Sequence, residues 1–509
     1  MRLRSIIGLL SAALALGAAG ACSPKTALAP NLPPETTLFV QFDATDTIPH
    51  TVPYQAHLFW LGRDSDGFVA AYEIRFIQPG GPADPPWTRT TRTDSLFDVP
   101  TPSATSQTRF EVRAIDDKDQ RDPTPAGQDF SFSNQQPTIA ITNKLRTIDT
   151  TYASVTLQWN AVDPDGDAGR LKVRVWMNGH EADAQLADNV IPRYTVPSDL
   201  FREGAGVFRS GPRRVYVQAI DPGGFASAID SMTWYVRQPC ADTTLKRGRV
   251  LLIHDVASSV AGQRLIDSLW TNSVARAFPA NAVSSLRLET TQPFRSILDL
   301  YQTFNLFDIV IWHRAASGQT SYSTVLQTYQ DGAGQFLDDG GTFIVESLNL
   351  VQAPVTAGAL RQDWIQRYLN CDSLVAHPLK QGQSSQYDFS LNGTGLLPSF
   401  QYSTKLQPLQ TPSGYRAFAV RDTHDVALWA PVGTLIDTLP DPVPLGVRAL
   451  QPSGGQAIAL ALFLRGLDRT SLGGGEGAAT YLGRILATLP PPRPAPAFQR
   501  LSLRRARSR

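Results

Sequence analysis

The chain of 509 residues has only three cysteines, Cys22, Cys240 and Cys371. So low a count excludes a disulfide-dense scaffold. Neither Cys240 nor Cys371 sits in a C-x-x-C pair, and His254 and His313 have no H-x-x-x-H partner, so the zinc signatures are missing as well. An excess of one charge sign is also lacking, since 46 Lys and Arg face 45 Asp and Glu for a formal net charge of +1. Phosphate binding needs a concentrated basic face, and nucleic acid is therefore excluded as a partner. The one basic concentration is Arg500, Arg504, Arg505, Arg507 and Arg509, after the Pro-rich stretch from Pro490 to Pro496. Residues 490–509 read as a solvated, disordered tail, and contact with anionic lipid or an envelope polymer is the sharper alternative.

Apolar residues, by contrast, are plentiful: hydrophobic content is 42% and charged content 18%. That is ample for buried cores, and the length calls for about three domains. Met1-Arg2-Leu3-Arg4 is a short basic head, Ser5 to Gly20 is an apolar run, and Ala19-Gly20-Ala21-Cys22 closes it with small residues. Residues 1–22 resemble a bacterial lipoprotein export signal, which implies that Cys22 becomes the lipidated first residue of the mature chain. Ala19 stands where such signals usually carry Leu, and an ordinary secretory cut nearby is the alternative. The run is too short for a retained membrane helix. The expected location is the bacterial cell envelope, periplasmic or surface-exposed, with the membrane reached through an N-terminal lipid and a flexible leader over residues 23–34.

Two segments of the first half then match in order, with a period of about one hundred residues. Asn31-Leu32-Pro33-Pro34 is answered by Asn134-Gln135-Gln136-Pro137, and Trp60 with Asp64-Ser65-Asp66-Gly67 by Trp159 with Asp163-Pro164-Asp165-Gly166. Val99-Pro100 pairs with Val196-Pro197, and Phe110 to Asp116 with Val215 to Asp221. Within each copy apolar and polar residues alternate with period two, as at Phe110, Val112 and Ala114, and turn residues separate the runs. This predicts two all-β sandwiches over residues 35–136 and 137–240. A tryptophan before an acidic turn and a later strand ending in Asp resemble fibronectin type III and related immunoglobulin-like modules, although Phe110 and Val215 stand where those modules often carry Tyr.

The acidic turns raise a metal question. Asp64, Asp66 and Asp116 in one copy, and Asp163, Asp165 and Asp221 in the other, could converge and offer oxygen ligands to Ca²⁺, the one cofactor the sequence suggests. Alternatively these aspartates bond their own backbone and shape tight loops. Neither run completes a twelve-residue calcium loop.

From Arg249 strands alternate with helices. Val250 to Ile253, Asp308 to Trp312 and Thr342 to Val345 are apolar runs suited to strands covered on both faces, with helical spacing between them. Crossovers of this length predict an α/β doubly wound parallel sheet over residues 247–489. Phe307 to Trp312, Gly340 to Val345 and Gly454 to Leu460 resemble the class I glutamine-amidotransferase-like fold. Active members of that family place a cysteine after the strand that here ends at Val345, but this chain reads Glu346-Ser347-Leu348-Asn349. The resemblance therefore implies the fold without the amidotransferase activity.

Strand ends carry polar company: His254-Asp255, His313-Arg314 and Glu346-Ser347. Ser347 is a candidate nucleophile, His313 or His254 its base, and Asp255 or Glu346 the orienting acid. The competing reading is that polar residues cap such strands in every sheet of this type. Cys240 and Cys371 are either one disulfide or two separate buried thiols. The expected function is that of a lipid-anchored envelope protein with a binding or scaffolding role toward a glycan or another envelope protein, the β-sandwiches serving as a spacer for the α/β domain. An exported hydrolase acting on carbohydrate, ester or peptide material is the alternative, and calcium-dependent adhesion a third.

Overall fold

The structure, a computed structural model, describes residues 30–41, 55–78, 81–147, 149–166, 168–203, 207–240, 247–255, 263–288, 294–314, 324–347, 360–377, 387–393, 396–398, 400–406, 415–420, 426–430, 443–460 and 478–493. The export signal with Cys22, most of the leader, and residues 494–509 lie outside the described residues.

Alternation in the first repeat becomes two antiparallel sheets. Glu35–Gln41, Gln55–Arg63 and Asp94–Asp98 form one, and Thr88–Thr90, Val69–Ile77, Thr105–Asp116 and Ala126–Ser133 form the other. Their inner faces meet at Leu58, Trp60, Phe110, Val112 and Ala114, all buried. Each large side chain so covered contributes roughly 2 to 3 kcal/mol. Phe110 packs its ring among Trp60, Phe76 and Phe97 at centroid distances of 5.9, 5.1 and 5.6 Å, so an aromatic cluster fills the centre of the sandwich.

The second repeat also builds a sandwich. Arg193–Val196, Val155–Val162 and Thr138–Ile141 make its smaller sheet, and its larger one contains Lys172–Met177, Gly211–Ile220 and Asp230–Val236. Its duplication reaches individual hydrogen bonds. Trp60 N donates to Thr93 O at 2.8 Å and Trp159 N to Pro192 O at 3.1 Å. The turn at Asp116 to Gln120 matches that at Asp221 to Phe225, and Asp119 and Gly224 both adopt left-handed backbone, with φ of 65° and 92°. Glycine bears that conformation without cost, and aspartate is among the few other residues that tolerate it.

The chain gathers into two compact units. One comprises Met1–Thr138, Ala161–Lys172 and Ala219–Ala228, so it includes both acidic turns of the second repeat. The other comprises Ile139–Asn160, Val173–Gln218 and Ile229–Arg509. Most of the second sandwich thus shares a unit with the residues that follow it. The reason is visible at Asp299: Ser154 Oγ donates to its carboxylate at 2.8 Å and Thr156 N at 3.1 Å, joining sandwich to helix. Tyr152 adds an edge-to-face contact with Phe307, with 5.3 Å between centroids.

In that second unit a nine-stranded sheet runs in the order Val283–Arg287, Gly248–His254, Phe307–His313, Thr342–Glu346, Gln456–Leu460, Val443–Leu450, Val426–Ala430, Tyr387–Gly393 and Phe400–Leu406. The first five pair in parallel. The rest join antiparallel, which the predicted all-parallel sheet did not include. Antiparallel neighbours need no crossover helix, so this region carries none of the helical spacing that revealed the parallel strands.

Period two sorts the sheet's side chains between two helical layers. Val250, Leu252, Ile309, Ile311 and Ile458 face the helices Gln263–Ala277 and Ala478–Ala487, through Trp270, Val274, Tyr481 and Ile485. On the other face Trp312 and Phe343 meet Phe304 of the helix Ile297–Asn305, and Phe304 also contacts Phe336. Cys240 and Cys371 are two separate buried thiols, near the carbonyl oxygens of Arg247 at 4.0 Å and Leu369 at 3.1 Å, so the disulfide alternative is set aside.

Candidate functional site

Parallel register brings the carboxyl ends of three strands level, pairing His254 with His313 and His313 with Glu346. The same alternation that sorts the core then divides the six polar residues into two sets. His254, His313 and Glu346 share the face of Ile309 and Ile311, under the helix that carries Trp270. Asp255, Arg314 and Ser347 come one residue later and fall on the opposite side.

On the first side Glu346, fully buried, accepts from His313 Nδ1 at 2.7 Å and from Trp270 Nε1. His254 Nδ1 stands 3.2 Å from Asp267, and Arg287 donates to the other oxygen of that carboxylate. The two imidazole rings are 6.3 Å apart. On the second side Asp255 accepts from Trp312 Nε1 at 2.9 Å and lies 3.4 Å from Arg314 Nε. Arg314 and Ser347 are 0% exposed and His254, Asp255 and His313 no more than 5%. A buried guanidinium and carboxylate of this kind persist only in each other's company.

This geometry separates the components of the expected hydrolytic set. Ser347 N continues the ladder by donating to Leu460 O at 3.0 Å, and its backbone is not in the left-handed region that a sharp nucleophile turn uses. His313 Nε2 is buried and has no hydrogen-bond partner, so the imidazole is not bonded to Ser347 Oγ. What the arrangement does hold is an imidazole oriented by a buried carboxylate, with one ring nitrogen left over. Leu348 and Asn349, next to Ser347, lie outside the described residues. Sequence reading found both histidines, Asp255 and Glu346, but not Asp267, Arg287 or the Trp270 and Trp312 donors. Those arrive from a helix, a neighbouring strand and the core, and no spacing pattern announces them.

The acidic turns are engaged in hydrogen bonds that recur in both repeats. Asp116 Oδ1 accepts from Lys118 N and Gln120 N at 2.9 and 2.7 Å, and its Oδ2 from Asn31 Nδ2. Asp221 repeats this with Phe225 N at 2.9 Å and Asn134 Nδ2 at 3.0 Å. Asp66 accepts from Leu32 N at 3.2 Å, as Asp165 does from Gln135 N at 2.8 Å. Asp64 and Asp163 receive the backbone N–H of Asp66 and Asp165 at 3.3 and 2.9 Å. The repeated Asn and its successor are thus tied down by repeated aspartates, which explains why these landmarks recur together. Burial pushes the Asp116 carboxyl up, but the bonds from Asn31, Gln120 and Lys118 outweigh it and hold it below the usual carboxylate range. Among the described residues no group of three or more His, Cys, Asp or Glu side chains is arranged to hold a metal ion.

No protein-family model matches this chain. No curated protein matches it either. Among solved structures, it is similar to the fibronectin(III)-like modules of Clostridium thermocellum CbhA, at 15% identity over 40% of this chain and 95% of that one, with a TM-score of 0.19. A two-domain fibronectin type III segment of chicken tenascin matches at 12% identity over 39% of this chain and 96% of that one, with a TM-score of 0.15. A ThuA-like protein from Bacteroides uniformis matches at 11% identity over 43% of this chain and 84% of that one, with a TM-score of 0.27.

Proposed function

We propose that this is an exported, lipid-anchored protein of the bacterial envelope, fastened through Cys22, whose work is binding or scaffolding rather than catalysis. In this reading the sandwiches are fibronectin type III or immunoglobulin-like modules, and the α/β body is a glutamine-amidotransferase-like fold without its activity. The supporting observation is the closed carboxyl edge, where Glu346 is shared by Trp270 and His313 and Ser347 is fully buried on the far side of the sheet's alternation. A hydrolase needs its nucleophile, base and oxyanion donors around one point that substrate can reach. Partners are then a glycan or another envelope protein, with the membrane reached by the lipid. The test is incorporation of labelled fatty acid in cells. Wild-type protein should carry label and sediment with membranes, and Cys22→Ala should do neither; a labelled or fully membrane-bound Cys22→Ala protein would defeat the anchor.

One observation favours a second reading. The unpartnered Nε2 of His313, oriented through Glu346, is the kind of nitrogen that accepts a proton from a water or hydroxyl. Hydrolysis of an activated ester by wild-type protein, lost in His313→Gln and kept in Ser347→Ala, would move the assignment to an enzyme centred on that dyad.

A further inference from the structure

At the opposite, amino-terminal edge of the same sheet lies a cavity of about 730 Å³, lined by Arg247, Arg249, Tyr301, Asp308, Asp339 and Arg493 among others. Arg247 and Arg249 flank Gly248 at the start of a strand. Glycine is needed between them because a Cβ there would stand 2.6 Å from the Phe307 ring and 2.7 Å from the Pro239 carbonyl oxygen. Arg493 comes from the far end of the chain, where Arg493 N donates to Asp308 Oδ1 at 3.2 Å and its guanidinium to the carbonyl oxygens of Phe307 and Asp339.

Three guanidinium groups here crowd one buried carboxylate, with Arg247 Nε also donating to Asn305 O at 2.9 Å and Arg249 to Pro490 O. Asp308 lies 3.2 Å from Arg249 Nη1, 3.6 Å from Arg493 Nε and 3.9 Å from Arg247 Nη1. Only the first is close enough to be a hydrogen bond. Arg493 Nε is buried without a hydrogen-bond partner. Arg202 also lines the space, but Asp199 answers it at 3.1 Å, and Asp339 is engaged by the Tyr301 hydroxyl at 2.6 Å. The lining therefore has four arginines against Asp199, Asp308 and Asp339, an excess of one positive charge. Burial, and then the charge of Arg247, push the Arg493 guanidinium down to about 10, the direction expected of a cation short of counter-charge.

We propose that this cavity binds a small ligand carrying an oxyanion, carboxylate or phosphoryl, on a hydroxylated body. The planar guanidinium fork matches such groups. The rest of the lining sets Ser198, Asn305 and Thr342 beside Leu306 and Pro490, a mixed wall that suits the hydroxyls and the apolar ring face of a sugar-like body. This deepens the binding role proposed above and rests on it. A chain that is lipidated at Cys22 yet takes no oxyanion fails here alone.

Calorimetric titration of the purified protein with sodium glucuronate, inorganic phosphate and neutral glucose, at constant ionic strength, tests it. Glucuronate or phosphate should bind and glucose should not, and whichever anion binds names the source of the oxyanion. Arg493→Gln should weaken that binding at least tenfold. Asp308→Asn should tighten it, because it removes the competing carboxylate, an effect that loss of structure would not produce. Should Arg493→Gln fail to fold, Arg247→Gln takes its place. Absence of binding by both anions, equal binding of glucose, or arginine variants that bind as wild type would each overturn the proposal.

Discussion

The two edges of the parallel sheet use charge in opposite ways. At the carboxyl edge Asp255, Asp267 and Glu346 each have named partners, and the row from His254 to Ser347 is closed from solvent. At the amino edge three arginines share Asp308 and leave a cavity beside it. Open α/β sheets ordinarily take ligands at the carboxyl ends of their strands. Here the carboxylates of that edge are engaged by neighbouring side chains while His313 Nε2 is left over, and at the other end three arginines crowd one carboxylate.

The comparison can be broken most decisively at Glu346. Glu346→Ala leaves the Trp270 and His313 donors buried without an acceptor, and should cost about 3 kcal/mol or more in urea denaturation; a cost below about 1 kcal/mol would mean that the carboxyl edge is not held together by this network. Asp299 sharpens the contrast, because it is a buried carboxylate with several donors that lies at neither edge. Burial pushes its carboxyl up to about 6 against the bonds from Ser154 and Thr156. A group whose folded value lies above its unfolded one stabilises fully below the unfolded value and loses that contribution as pH rises through the folded value. The Asp299 contribution should therefore grow by up to about 3 kcal/mol as pH falls from 7 to below 4. Comparing the pH dependence of unfolding in wild type and Asp299→Asn measures it, and identical slopes would refute it.

Smaller effects bear on the first unit. Asn134→Ala removes the bonds to Asp221 and to Thr101 O, and should lower stability by about 1 kcal/mol. Melting that is unchanged in this variant would detach the repeated asparagines from any clamping role. Millimolar Ca²⁺ should leave the melting temperature within about a degree of its value in chelator, because Asp116 and Asp221 already accept N–H donors on both oxygens; only binding to the folded state would raise it.

Much of the architecture was legible in the sequence because it rests on periodicity. The runs at Val250, Asp308 and Thr342 predict strands whose ends lie within two residues of those observed, Gly248–His254, Phe307–His313 and Thr342–Glu346. The repeat was equally plain, and it carries through to the backbone, where Trp60 N and Trp159 N donate to the equivalent carbonyl oxygens of Thr93 and Pro192. Antiparallel strands between Cys371 and Leu450 were not read, because short strands joined without crossovers leave no helical spacing behind. Site chemistry was legible only in part. Strand register announced His254, His313 and Glu346 together, yet the one-residue step that sends Ser347 to the other face separates it from its supposed base. Arg247, Asp308 and Arg493 meet only through the fold, and nothing in their spacing links them. Pro490 to Arg493, read by composition as the start of a tail, lie against the sheet's amino edge.

That last contact sets an order of events during synthesis. Arg249 and the Pro490 carbonyl oxygen to which it donates are 241 positions apart, so the amino edge cannot be finished until synthesis has passed Pro490. A chain stopped short of Arg493 would contain every described strand of the sheet yet lack one of the three guanidinium groups around Asp308. Substitution at Arg493 in the full chain therefore isolates what this late contact adds to a sheet whose strands are all made before it.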